Sequence, residues 1–152
     1  MTHQQQLLSR LFTYFKTTLH NSKPPRTYLE QRGLNPELIE VGYNTGELHH
    51  GKRKDEQLIA GCIELGLLQL SARKSRTGDQ AYTPFCKNCI VFPLRNRANH
   101  ITCLYFRNTE QKGQQHLYLK YRLLHKKAVS KCFAGPCKVI WMLTLSKAIT
   151  SN

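Results

Sequence analysis

The sequence predicts an α+β protein, helical in its first half and antiparallel in its second, and three observations carry that expectation. Leu7, Leu8, Leu11, Phe12, Phe15 and Leu19 recur at three- and four-residue spacing, which puts one apolar stripe on a helix. Gly33 and Gly66 each follow a short apolar-periodic run and read as left-handed helix stops. From Ala81 onward the texture changes to β-branched and aromatic residues. A length of 152 residues allows one domain with an appended tail, and 40% hydrophobic content with 7 Tyr and 6 Phe is enough for a core rather than a disordered chain.

The first helix ends near Asn21, where Asn21-Ser22-Lys23-Pro24-Pro25 punctuates strongly. A second, from about Arg26 to Arg32, has Pro25 in its first turn, where a missing N–H costs nothing. After Gly33, Asn35 caps a further short helix that starts at Pro36 and carries Leu38 and Ile39. Val41–Gly46 is β-prone at its start and turn-like at its end, and His49 to Lys54 makes a polar loop with His49-His50 as a solvated pair. Asp55 opens the third helix, closed by Gly66. The basic stretch Ser71 to Gln80 reads as a solvated loop. Strands follow at Cys89 to Leu94, Ile101 to Arg107 and His116 to Tyr121, joined by turns at Arg95 to Asn99 and around Gly113 as an antiparallel meander.

Charge is the dominant compositional feature. With 23 Lys plus Arg against 9 Asp plus Glu, the formal net charge is +14, a field that favours a polyanionic partner such as nucleic acid. Seven of the nine acidic residues fall between Glu30 and Glu64. From Arg73 onward only Asp79 and Glu110 oppose fifteen basic residues, so the positive surface belongs to the second half. No run of about 18 apolar residues exists to span a bilayer, so no membrane partner is expected and the chain is read as soluble and cytoplasmic. In that reducing setting the six cysteines are free thiols or metal ligands rather than disulfides.

At this point the residues carry a resemblance. Tyr28-Leu29-x-x-Arg32-Gly33-Leu34, Glu37-x-Ile39, Gly42-Tyr43, Glu64-x-Gly66-Leu67-Leu68, Ile90-Val91-Phe92-Pro93-Leu94, Tyr105-Phe106-Arg107 and Tyr118-Leu119 occur in an order that resembles the N-terminal part of the catalytic core of bacterial DnaG-type DNA primases. In that family the stretch lies between a zinc-binding domain and a Toprim domain, and the resemblance spans about residues 5–125. It divides the chain into an N-terminal helix and linker (1–24), a primase-core-like domain (25–125) and a basic, apolar tail (126–152) that resembles a truncated or frame-shifted start of a Toprim domain. The resemblance implies a basic face that helps hold single-stranded template, and the matching positions here are Lys87, Arg95, Arg97 and Arg107, with Lys120 and Arg122 completing the set. Phe92, Tyr105 and Phe106 lie nearby for base stacking, although strand aromatics such as Phe92 and Phe106 are more often core.

Cys86-x-x-Cys89 has zinc-ligand spacing and Cys132-x4-Cys137 offers a second pair, but the first pair enters a strand rather than a tight knuckle and the second spans a long interval, so ordinary reduced thiols are the simpler reading. Phosphoryl transfer needs clustered carboxylates on divalent metal. The related primases carry these in the Toprim domain as Glu-Gly and Asp-x-Asp, and neither motif occurs in this sequence. No catalytic residue and no cofactor is therefore expected in this chain, and Mg2+ only in a separate Toprim domain. The expected function is non-catalytic: binding single-stranded DNA or RNA in primer synthesis for a replicon or mobile element. A subunit of a split primase, with a Toprim-containing chain and a replicative helicase as partners, is the enzymatic alternative. A protein-interaction module is the third.

Overall fold

The computed structural model describes residues 1–52, 54–110 and 116–119. Three helices, α1 (His3–His20), α2 (Lys23–Gln31) and α3 (Glu56–Glu64), accompany six strands: β1 (Gly42–Asn44), β2 (Leu68–Lys74), β3 (Gln80–Pro84), β4 (Cys89–Arg95), β5 (Ile101–Asn108) and β6 (His116–Tyr118). Among the described residues, β1, β4, β5 and β6 form a four-stranded antiparallel sheet in the order β1-β4-β5-β6, while β2 and β3 form a separate hairpin. No helix among them is long and apolar enough to cross a membrane.

Each helix starts and stops for an identifiable reason. Thr2 caps α1 through a reciprocal box with Gln5, which satisfies two otherwise orphaned amide donors. Its stripe, Leu8, Leu11, Phe12, Phe15 and Leu19, is buried. The second helix takes in both Pro24 and Pro25 in its first turn, so it begins three residues earlier than the sequence indicates. Asp55 caps α3 by accepting from Leu58 N at 3.0 Å. Gly33 and Gly66, at φ of 71° and 79°, are the left-handed stops read from the sequence.

Three expectations need correction. Pro36 to Leu38 make only a turn, on which Asn35 Oδ1 accepts from Glu37 N; Ile39 packs against the smaller core but Leu38 is 81% exposed, and one anchored apolar residue does not nucleate a helix. Ser71 to Gln80 is not a loop but most of the β2–β3 hairpin, whose outer part is exposed on both faces. His49 is not solvated but 5% exposed, its ring edge-on to Tyr82 at 5.9 Å, while His50 stays exposed.

The sheet has apolar contacts on both faces. One is the main core, where α1 and α3 meet Cys89, Val91, Leu104 and Phe106. Phe106 sits at its centre, edge-on to Phe15 and to Phe85 at centroid distances of 6.4 and 5.3 Å. Close seating of α1 on β1 depends on Gly42: a Cβ there would lie 2.7 Å from Phe15 Cβ and 2.9 Å from its carbonyl carbon. The opposite face carries a smaller cluster in which Leu19 and Leu29 pack with Val41, Ile90, Phe92 and Tyr105. Alternation along β4 thus sends successive residues into two cores, which explains why this strand reads as a continuous apolar run.

Candidate nucleic-acid interface

The segment that joins β3 to β4, Phe85-Cys86-Lys87-Asn88, is held from three directions. Phe85 N donates to Leu67 O at 2.8 Å. The amide of Asn44, itself 3% exposed, donates to both Phe85 O and Cys86 O at 2.9 Å, and its Oδ1 accepts from Gly46 N at 3.0 Å. On the other side Thr109 Oγ1 donates to Asn88 O at 3.1 Å. These bonds hold Cys86 and Asn88 at φ of 47° and 58°, a conformation that side-chain-bearing residues adopt only when surrounding contacts over-determine it. The turn presents Lys87 outward, its stem against Gly46, at the rim of an open groove of about 430 Å³. Gln69 of β2, Phe85, Asn108 and Leu117 contribute to the groove walls.

The hairpin rises from one edge of this groove, because its base pairs Leu68 with Pro84, directly before the turn. Towards its tip Arg73, Lys74 and Arg76 are all exposed. The tip itself closes through Ser75 N to Asp79 O and Gly78 N to Ser75 O, with Gly78 at φ 83°. These three cations belong to the positive second half of the sequence, but no local pattern there marks them as a site. Thr77-Gly78-Asp79 between two polar runs was the available turn signal.

The residues singled out from the sequence fall into different surroundings. Lys87 is exposed on the turn, and Arg97 is exposed between β4 and β5. Arg95 is committed to the protein: its Nε and Nη2 donate to Glu40 at 2.8 and 2.7 Å, and Nη1 donates to Asn99 O at 2.7 Å. Arg107 is 6% exposed, in a row of strand partners with Tyr43, Ile90 and His116. Lys120 and Arg122 lie outside the described residues. Phe92 and Tyr105 stack on each other at 5.9 Å within the smaller cluster, and Phe106 is fully buried, so all three are core rather than stacking platforms.

Cys86 and Cys89 lie at the two ends of the tight turn, and Cys89 is the first residue of β4, so the pair does enter a strand as read from the sequence. The Cys86 thiol hydrogen-bonds to Cys89, which holds Cys89 below the usual thiol range and, with burial, raises Cys86 above it. Two sulfurs do not make a structural zinc site, and no group of three or more His, Cys, Asp or Glu among the described residues is placed to hold a metal. Cys132 and Cys137 lie outside those residues.

Over 100 residues the chain is 31% identical to a DNA primase of Haemophilus influenzae, an alignment that takes in 60% of this chain and 16% of that protein. Its fold matches the primase of Aquifex aeolicus (zinc-binding and RNA polymerase domains) with a TM-score of 0.64 at 19% identity, over 79% of this chain and 30% of that one. It matches the DnaG primase catalytic domain bound to single-stranded DNA with a TM-score of 0.61 at 19% identity, over 77% and 37% of the two chains. The chain has the fold of the DnaG-type primase core in its N-terminal part. The α+β class read from the sequence is the observed one. No protein-family model matches the chain. The chain spans about a sixth of the curated primase it matches and about a third of the matching structures.

Proposed function

We propose that this chain binds single-stranded nucleic acid as the template-holding part of a primase-like assembly and serves primer synthesis in DNA replication. The observation that carries the reading is the rigidly held turn with Lys87 exposed at a groove, flanked by the exposed cations of the β2–β3 hairpin, on a primase-core fold. Lys and Arg side chains neutralise backbone phosphates and release condensed counterions, so binding of this kind tracks the strand without reading its sequence. Stacking contributes little, since Phe92, Tyr105 and Phe106 are inside. The described residues do not fit a Mg2+ site. In this reading nucleotidyl transfer belongs to a Toprim-bearing partner, as the resemblance to the primases implies, with a replicative helicase as a further partner.

Affinity for labelled single-stranded DNA and RNA across a salt series tests this. Four phosphate contacts from Arg73, Lys74, Arg76 and Lys87 correspond to a slope of log K against log salt of about −3. The combined variant Arg73→Gln, Lys74→Gln, Arg76→Gln and Lys87→Gln keeps its fold and loses more than tenfold in affinity at low salt. A flat salt response, or unchanged binding by that variant, overturns the proposal. Primer synthesis by this chain alone overturns its non-catalytic assignment.

A further inference from the structure

The nucleic-acid reading leaves Cys86 and Cys89 unused, and their setting differs from that of the other described cysteines. Cys62 and Cys103 are buried in the main core, and burial pushes the Cys62 thiol up to about 11, as expected of inert structural thiols. Cys86 is half-buried, Cys89 is 1% exposed, and both line the groove beside Lys87. Lys87 and Asn88 form the middle of a turn with Cys86 and Cys89 at its ends. The end Cα atoms of a β-turn lie within about 7 Å, which is the reach a disulfide bridges. The two side chains already touch through their S–H···S hydrogen bond. Asn44 and Thr109 fix the turn backbone, so the two cysteines are held at the ends of one defined turn.

We propose that Cys86 and Cys89 form a reversible thiol–disulfide pair, oxidised by a small-molecule disulfide of the glutathione class, at the turn that presents Lys87. The S–H···S hydrogen bond eases loss of the pair's first proton, because the remaining thiol stabilises the thiolate. Cys86 passes its proton along that bond to the Cys89 thiolate, and the accessible Cys86 sulfur, now the thiolate, attacks one sulfur of the glutathione disulfide. That S–S bond breaks and the first glutathione leaves as a thiolate that takes up a proton. Cys89 then gives its proton to solvent and its sulfur displaces the second glutathione from Cys86. The pair has lost two electrons and two protons, and one glutathione disulfide has become two glutathione thiols. The inference stands on the turn geometry and holds whether or not the groove binds nucleic acid.

The test equilibrates the full, reduced chain with glutathione buffers of graded oxidised-to-reduced ratio, traps free thiols with an alkylating reagent and maps cysteines by mass spectrometry. The peptide with both residues is expected to show a mass deficit of two hydrogens, reversed by dithiothreitol, while Cys62 and Cys103 remain alkylatable on unfolding. Cys89→Ser stops at the glutathione adduct on Cys86, and Cys86→Ser leaves the buried Cys89 unmodified. Thiols that stay reduced across the series overturn the proposal. So does a stable glutathione adduct in the unaltered chain, a bridge to Cys132 or Cys137, or stoichiometric zinc that is lost in Cys86→Ser.

Discussion

Arg95 and the β2–β3 hairpin carry the same kind of charge in opposite circumstances. At the end of β4, Arg95 gives two donors to Glu40 and a third to Asn99 O, so its guanidinium is neutralised by the protein. Arg73, Lys74 and Arg76 stand exposed on a hairpin with Asp79 as the nearest acid in sequence. Arg107 is a third case, buried where a charge must be matched by protein groups. The formal net charge of +14 therefore overstates what a polyanion would meet at the described part of the sheet, where Arg95 and Arg107 are committed to the protein while Lys87, Arg97 and the hairpin cations are exposed.

The sharpest way to break this contrast is Arg107→Glu. Replacing a buried cation by an acid leaves charge without a partner on an otherwise apolar face, a loss of about 3–5 kcal/mol. Thermal or urea denaturation should show a large shift. A variant as stable as the parent would place Arg107 among the available cations after all. Asn44→Ala comes next. It strips the hydrogen bonds from Phe85 O, Cys86 O and Gly46 N in a buried setting, a cost of about 1–3 kcal/mol. It should also weaken nucleic-acid binding severalfold by releasing the turn beneath Lys87. Destabilisation with unchanged affinity would show that the turn geometry does not matter to binding.

The elements were legible wherever burial imposed a period. The α1 stripe, the Asp55 and Gly66 boundaries of α3 and the β4–β5 meander all follow from apolar spacing and stop signals. The hairpin was not legible, because a strand exposed on both faces has no apolar alternation to display: β2 is buried at Leu68 and mostly exposed beyond it. Strand alternation grouped Arg107 with Tyr105, but nothing local says that this face is covered by Leu19 and Leu29 from far along the chain. The same limit applies to Arg95, whose partner Glu40 is 55 residues away. Arg95 and Arg107 are thus legible as residue types but not in their surroundings, which are tertiary, whereas Lys87 and Arg97 are exposed as their turn positions imply.

Glu40→Gln carries the smallest expected effect and separates committed from available charge most directly. The Arg95–Glu40 pair is bidentate, but the side chains are 29% and 46% exposed, so solvent screens it and its loss costs about 0.5–1 kcal/mol. The substitution frees one unit of positive charge while Nη1 still donates to Asn99 O, which keeps the guanidinium close to its place. If Arg95 sits away from the bound strand, affinity rises by less than about threefold at low salt, and the gain disappears as the Debye length contracts below about 10 Å. If Arg95 is instead a phosphate-binding group held in reserve, affinity rises by an order of magnitude, the salt slope steepens by about 0.7, and Arg95→Ala in the same background abolishes both changes. That result would move the interface from the hairpin to the β4–β5 end of the sheet.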